Sequence, residues 1–357
     1  MNDYLKYFDK FTFIIIIIIS LFGILLICSV SQSLDQPYYL KQLLWLSVSL
    51  IVFFIVLRIK TEFVFRSSLF LCIVLSIILV IQLVAGQIIG GTKSWIKFGF
   101  IAIQVSEFIK IPIALYIANI LSKTKIIDWF IFCKLMFLLG IPFLLIAMQP
   151  DLGTAFILTS FVIISIFLKR IKLSIIFISI MFVIIGSFLS WNYVLKPYQK
   201  NRIVSFFNPE KYSQSSGYQI IQSKIAIGSG GLSGKGFLKG SQSQYKFLPT
   251  RHTDFVVSVL GEEFGFIGIS FLFLFFFILF YRQFNFKSQT DREFYFVYLF
   301  NFLILFQFSI NILMSIGLFP ILGVPLPFVS YGGSSLLSFF IGEAIIFKIK
   351  INNYLNI

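Results

Sequence analysis

A chain of 357 residues that is 58% hydrophobic and only 12% charged, with 48 phenylalanines, carries more apolar surface than a water-soluble core can bury. Its mean hydropathy of +0.96 excludes a soluble domain, and its net charge of +15 reads as basic loops that orient membrane helices, not as a nucleic-acid surface. Cys28, Cys72 and Cys133 lie in or beside apolar runs, at neither metal-binding nor disulfide-framework spacing.

Ten apolar runs read as spanning helices, at about 11–29, 39–57, 68–85, 104–121, 130–148, 154–168, 174–195, 265–281, 294–316 and 335–349. The expected fold is therefore an all-α polytopic membrane protein, one unit over 1–357, with a large extracytoplasmic loop at 196–264 between helices 7 and 8. The first run, Phe11 to Cys28, is longer than the apolar core of a secretory signal, so an uncleaved helix is expected. With the N-terminus inside, short cytoplasmic segments hold fifteen Lys and Arg and short outer loops only Lys93 and Lys97. That asymmetry, with an even span count, puts both termini in the cytoplasm and the long polar loop outside.

In chain order, the first chemistry is Trp95 between Lys93 and Lys97, an interfacial anchor or a platform for a sugar face. Glu107 and Lys110, three apart at the start of the fourth run, share a helix face and can pair. They either fix helix packing or line a polar cavity for a head group. Gln149-Pro150-Asp151-Leu152-Gly153-Thr154 separates two runs; Pro150 is expected to open a helix with Asp151 in its first turn, where helix capping alone is enough to account for the carboxylate. The loop segment from Gly228 to Gly236 looks like a phosphate cradle but fails P-loop spacing, because Ser229 replaces the first Gly and Gly236 follows Lys235. It reads as a flexible turn, or as amides with Lys235 and Lys239 touching an external phosphate. Arg251-His252-Thr253-Asp254-Phe255 holds the only histidine. From the residues alone His252 and Asp254 are equal candidates for a general base. Glu343, deep in the last run, requires a partner in the bundle.

The segment Asn311 to Ser335, N-I-L-M-S-I-G-L-F-P-I-L-G-V-P-L-P-F-V-S-Y-G-G-S-S, resembles the signature of the SEDS family (shape, elongation, division, sporulation). Gln149–Thr154, Arg202–Pro209, Gly217–Gly228 and Phe247–Phe255 followed by Gly261-Glu262-Glu263 agree with it, so the resemblance covers essentially the whole chain. The wording at Gly323–Phe328 and Gly228–Gly236 is like the elongation branch; Thr250 departs from it, standing where many relatives carry Glu.

The resemblance implies a peptidoglycan glycosyltransferase that polymerises lipid II on the outer face of the cytoplasmic membrane. Its expected partners are the nascent glycan strand, a class B penicillin-binding protein transpeptidase and other membrane proteins of the elongation complex. It implies Asp254 as catalytic base, with Trp95, Glu107, Lys110 and Asp151 important and His252 in a positioning role. Arg202, Lys235, Arg251 and Lys110 are candidates to neutralise pyrophosphate; no cofactor is asserted, and a divalent cation stays open as a helper. One base suffices, because pyrophosphate leaves without acid help, unlike the alkoxide that glycoside hydrolases must protonate. A lipid II transporter, a non-catalytic scaffold and a division-type polymerase are the competing readings. On the favoured one, the polar loop is a lid bringing a base to a lipid-linked sugar.

Overall fold

The computed structural model describes residues 6–32, 36–89, 92–99, 101–212, 216–286 and 288–355. Three long helices come first: α1 (Lys10–Ser31), α2 (Tyr38–Val56) and α3 (Thr61–Ala85). A small antiparallel sheet follows, of β1 (Gln87–Ile89), β2 (Thr92–Phe98) and β3 (Ile101–Ile103). The run expected at 104–121 is two helices, α4 (Val105–Phe108) and α5 (Lys110–Ser122). Next come α6 (Trp129–Met148), α7 (Leu152–Leu168) and α8 (Leu173–Leu189), the last ending in a π turn over Ser190–Val194. The two-residue strands β4 (Ile126–Ile127) and β5 (Arg170–Ile171) pair in parallel beside them.

The polar stretch is structured: α9 (Pro197–Phe207), α10 (Ser216–Ser229) and α11 (Ser241–Gln244). Three helices finish the described chain, α12 (Val256–Phe284), α13 (Asp291–Ser315) and α14 (Gly333–Leu355). Each expected apolar run falls on a helix or helix pair. Among the described residues, eight segments are long and apolar enough to cross a membrane: α1, α2, α3, α4 with α5, α6, α8 with its π turn, α12 and α13. α7 is apolar but has 17 residues, and α14 is an interior helix whose residues are nearly all buried.

α13 is the hub, packed by α5 and α7, while α14 lies along α2, and α12 along α1 and α10. Small residues let these helices close up, as they do where apolar lipid removes the hydrophobic drive between helices. A Cβ on Gly342 would sit 1.9 Å from the Phe300 ring, and one on Gly333 would sit 2.1 Å from the Trp45 ring. α8 is the opposite case, with only Ile175 buried.

α12 starts at Val256, well before the expected span start near Gly265, because Val256 to Glu263 are buried despite the paired glutamates. At Gly265 (φ 64°, ψ −157°) the helix breaks. A broken helix leaves amides and carbonyls that apolar surroundings make costly. The glycine segment supplies their partners. Phe266 N–H donates to Gly231 O at 2.9 Å and Ile267 N–H to Leu232 O at 3.0 Å. In return Lys235 N–H donates to Glu262 O and Gly236 N–H to Glu263 O, both at 2.9 Å. A Cβ on Gly234 (φ +79°) would lie 2.2 Å from Glu263 O, so only glycine allows the approach. The segment read as a flexible turn or phosphate cradle is a splint, and those two amides are committed to it.

At one end of the bundle Asp9 caps α1, accepting from Thr12 N–H at 3.2 Å, and pairs with Arg282 at 2.8 Å and Lys350 at 3.1 Å. The candidate site forms at the other end. Glu343 does have a partner, accepting from Gln283 Nε2 at 2.7 Å.

Candidate active site

The His-Thr-Asp motif lies in a turn just ahead of α12, wound by Thr250 O, which accepts from Thr253 N–H at 3.2 Å and Asp254 N–H at 3.0 Å. Asp254 is partly buried. Burial pushes its carboxyl up to about 6; the Thr253 hydroxyl, Arg202 and the Thr250 hydroxyl pull the other way, and Asp151 adds to the rise. Arg202 projects from α9 and donates to Ile321 O at 3.5 Å. Gly323 (φ +74°) lies against the carboxylate: a Cβ there would stand 3.6 Å from Asp254 Oδ2.

His252, the rival base, packs among aromatic rings. Its ring stacks on Tyr38 at 4.8 Å and 19°, and Tyr331 meets Tyr38 edge-on at 4.9 Å. Burial, with the Arg251 charge beside it, pushes its imidazole down to about 4, so it is neutral near pH 7. Arg251 is itself buried and donates to Leu248 O at 3.2 Å.

Asp151 does not stand in a first turn opened by Pro150. It is the N-cap of α7, accepting from Thr154 N–H at 3.1 Å. A proline carries no N–H, but the helix begins only at Leu152, so the cap falls on the carboxylate. Its other oxygen accepts from Gln104 Nε2 at 2.7 Å, and Gln104 N–H donates to Ser334 Oγ at 2.9 Å. Gly153 brings α7 against Leu322 O, where a Cβ would lie 2.5 Å away. Asp254 and the first turn of α7, which Asp151 caps, thus both lie against the 321–324 segment.

Glu107 and Lys110 pair at 2.9 Å with both side chains buried. Lys110 also reaches Gln307 Oε1 at 3.4 Å, and Gln307 Nε2 donates to Pro325 O at 2.9 Å. The ion pair is therefore linked through one amide to the segment beside Asp254. Trp95 is partly exposed on β2. Its hairpin is tied to α3 by Gln82 Nε2, which donates to Ser94 O at 2.5 Å, and to the Asp151 turn by Lys93 N–H, which donates to Gln149 O at 3.1 Å. Lys235 is drawn elsewhere, paired with the buried Glu262 at 2.7 Å.

The fold thus gathers Asp254, Arg202, Asp151 and, through Gln307, the Glu107–Lys110 pair around residues 321–325. Residues that sequence reasoning passed over hold this assembly: Gln104, Gln307, Asn311, Ser330 and Gln42, which donates to Ser330 O and accepts from Gly332 N–H, both at 3.2 Å. For the four amides the signal was available, since amides inside apolar runs need a polar reason to be there.

A family model described as cell cycle protein, covering FtsW, RodA and SpoVE, matches residues 9–355. The chain is 34% identical over 368 residues to a probable peptidoglycan glycosyltransferase FtsW of Wigglesworthia glossinidia brevipalpis, covering 98% of this chain and 96% of that one. It is 36% identical over 296 residues to the peptidoglycan glycosyltransferase MrdB of Escherichia coli K12, covering 77% and 76%. Among solved structures, a chain from a study of how a peptidoglycan synthase complex coordinates polymerization and crosslinking superposes with a TM-score of 0.84 at 24% identity, covering 97% of this chain and 98% of that one. The rod shape determining protein RodA of Thermus thermophilus superposes with a TM-score of 0.71 at 23% identity over the same shares. Those two likenesses show the fold; the match along residues 9–355 shows the lineage, and the chain is a member of the SEDS family of FtsW, RodA and SpoVE.

Proposed function

We propose that this protein is an inverting peptidoglycan glycosyltransferase that polymerises lipid II into β-1,4-linked strands, with Asp254 as general base. The observation that carries the reading is one carboxylate, half-sheltered at an end of the bundle and lifted to about 6, with Arg202 beside it. A base with that value is mostly ionised near neutrality yet still basic enough to accept a hydroxyl proton. In the step, the acceptor hydroxyl oxygen bonds to the donor's anomeric carbon as its proton passes to Asp254. The carbon–oxygen bond to undecaprenyl pyrophosphate breaks, and that group leaves with the electron pair. The donor's α linkage becomes β. Arg202 is the cation best placed to meet charge near the base; Lys235, held by Glu262, is the least available. The Glu107–Lys110 pair braces the 321–325 segment beneath it through Gln307, and Asp151 caps the helix whose Gly153 packs on that segment.

The topology consistent with this chemistry has ten crossings, both termini cytoplasmic and the site outside, with 196–264 as the catalytic segment. The basic residues support it: Arg282 and Lys350 gather on Asp9 at the end opposite Asp254. The wording at Gly323–Phe328 favours the elongation branch, and the expected partner is a class B penicillin-binding protein. The FtsW and MrdB relatives match at similar identity, so the partner that co-purifies is the test of branch.

The decisive experiment supplies lipid II in detergent, with no membrane to cross, and looks for glycan chains on a gel. The native protein makes them and the folded Asp254→Asn variant does not. Chains from Asp254→Asn at the native rate overturn the base; no chains from the native protein with its partner favour a transporter or scaffold.

A further inference from the structure

We infer that Asn311 and Ser330 are positioning residues for the reaction, clamping the backbone of His252–Thr253–Asp254 so that the carboxylate is held at one place; this rests on the reading of Asp254 as the base. The geometry is specific. Three successive carbonyls of the motif each accept one hydrogen bond from the α13 to α14 region: His252 O from Tyr331 N–H at 2.9 Å, Thr253 O from Ser330 Oγ at 2.5 Å, and Asp254 O from Asn311 Nδ2 at 2.9 Å. None of the three donors lies in the turn itself.

Each side-chain donor is fixed in direction. Ser330 Oγ accepts from Leu326 N–H at 2.9 Å, so its own proton is the one directed to Thr253 O. Asn311 Nδ2 donates a second bond, to Val324 O at 2.7 Å, so one amide group joins the base's backbone to the segment where a Cβ on Gly323 would meet Asp254 Oδ2 at 3.6 Å. Asn311 is fully buried and Ser330 nearly so. Both Nδ2 protons of this buried amide are used, and they go to the two stretches of chain that frame the carboxylate. A base works within a narrow reach of its proton, and a misplacement of about 1 Å costs roughly 10²-fold. Holding the backbone on three consecutive carbonyls is a direct way to prevent that drift.

The test uses the purified full chain with its partner and measures kcat and KM for lipid II across pH, for Asn311→Ala, Ser330→Ala and Ser330→Thr. The charges coupled to Asp254 are Arg202 on α9 and Asp151 at the cap of α7; Arg251 and the neutral His252 share its turn, and all four are left intact. Both alanine variants are expected to lose roughly 10- to 100-fold in kcat with KM unchanged. Their acid limb should move to lower pH, as a loosened carboxylate gains water. Ser330→Thr keeps the hydroxyl and should restore both. Alanine variants with native kcat and acid limb overturn the proposal, as does a loss seen only in KM. If Asn311→Ala does not fold, the Ser330 pair decides alone. Failure of the base reading is seen separately, as an Asp254→Asn variant that still polymerises.

Discussion

The carboxylates of Glu262 and Asp254 flank the first turns of α12, and the chain surrounds them differently. Glu262 is fully buried and saturated. Its Oε1 accepts from Lys235 Nζ at 2.7 Å, Gln242 N–H at 2.8 Å and Ser241 Oγ at 3.2 Å, and its Oε2 from Ser243 N–H at 3.0 Å and Ser243 Oγ at 3.1 Å. Asp254 is sheltered with much less support, and its carboxyl rises to about 6. A carboxylate whose lone pairs are all engaged anchors structure. One that is desolvated and incompletely supported is poised to exchange a proton. The same contrast separates the two cations: Lys235 is consumed by Glu262, whereas Arg202 faces the poised carboxylate.

Replacing Asp254 by Asn should have the largest effect on activity, a fall of roughly 10²–10⁴-fold in lipid II polymerisation. It should not cost stability at pH 7. The raised value means that the ionised group opposes folding: its contribution falls as pH rises from 3.8 through about 6 and stays low above that. A neutral isostere removes that opposition, so the thermal midpoint should hold or rise. A variant that loses activity only because it melts early would break the distinction between anchor and base.

Glu262→Ala should do the reverse. It strands Lys235 and two backbone amides in a partly buried network, a loss on the order of 3–5 kcal/mol. Thermal melting in detergent measures it. The molecules that remain folded should keep much of their turnover, because nothing in that network touches Asp254. Full stability in Glu262→Ala would mean that the splint across Gly265 holds without its carboxylate.

The two titratable neighbours provide a third, smaller test. If Asp254 is the base, kcat/KM should rise with pH and reach half its plateau near pH 6. If His252 were the base, the half-point would lie near 4. A His252→Ala variant should therefore keep the limb near 6 while losing rate through the Tyr38 stack. A limb that vanishes with His252 would reverse the assignment.

These contrasts were only partly legible in the sequence. The apolar runs were, because a water-soluble core rarely contains an uncharged stretch long enough to span a bilayer. The motif turn was, through the family resemblance. The role of Gly230 to Gly236 was not: its partners are the amides and carbonyls freed at Gly265, and no local pattern joins the two. The small sheet after α3 was missed because its strands are short and Lys93 and Lys97 looked like loop charges. Asn311 and Gln307 were legible in principle, as amides in apolar helices, yet only the fold shows that both reach residues 324–325. Asp151 moved from first turn to cap for a local reason, the helix starting after it instead of at Pro150.

Thr250 offers the finest adjustment of the comparison. Its backbone carbonyl winds the motif turn by accepting from Thr253 and Asp254 N–H, so a change of side chain leaves that frame in place. Its hydroxyl is one of the groups that hold the Asp254 carboxyl down against burial. Glu, the residue type the family resemblance expects there, would remove that hydroxyl and add a like charge beside a carboxylate already raised by Asp151. Both changes favour the protonated acid. A Thr250→Glu variant should therefore shift the acid limb of kcat/KM above its native position, by less than the gap that separates Asp254 from His252. The plateau at high pH should be unchanged, because the base is then ionised either way. A limb that stays in place would mean that water screens position 250 from Asp254, and that this turn is wetter than the shelter around the carboxylate implies.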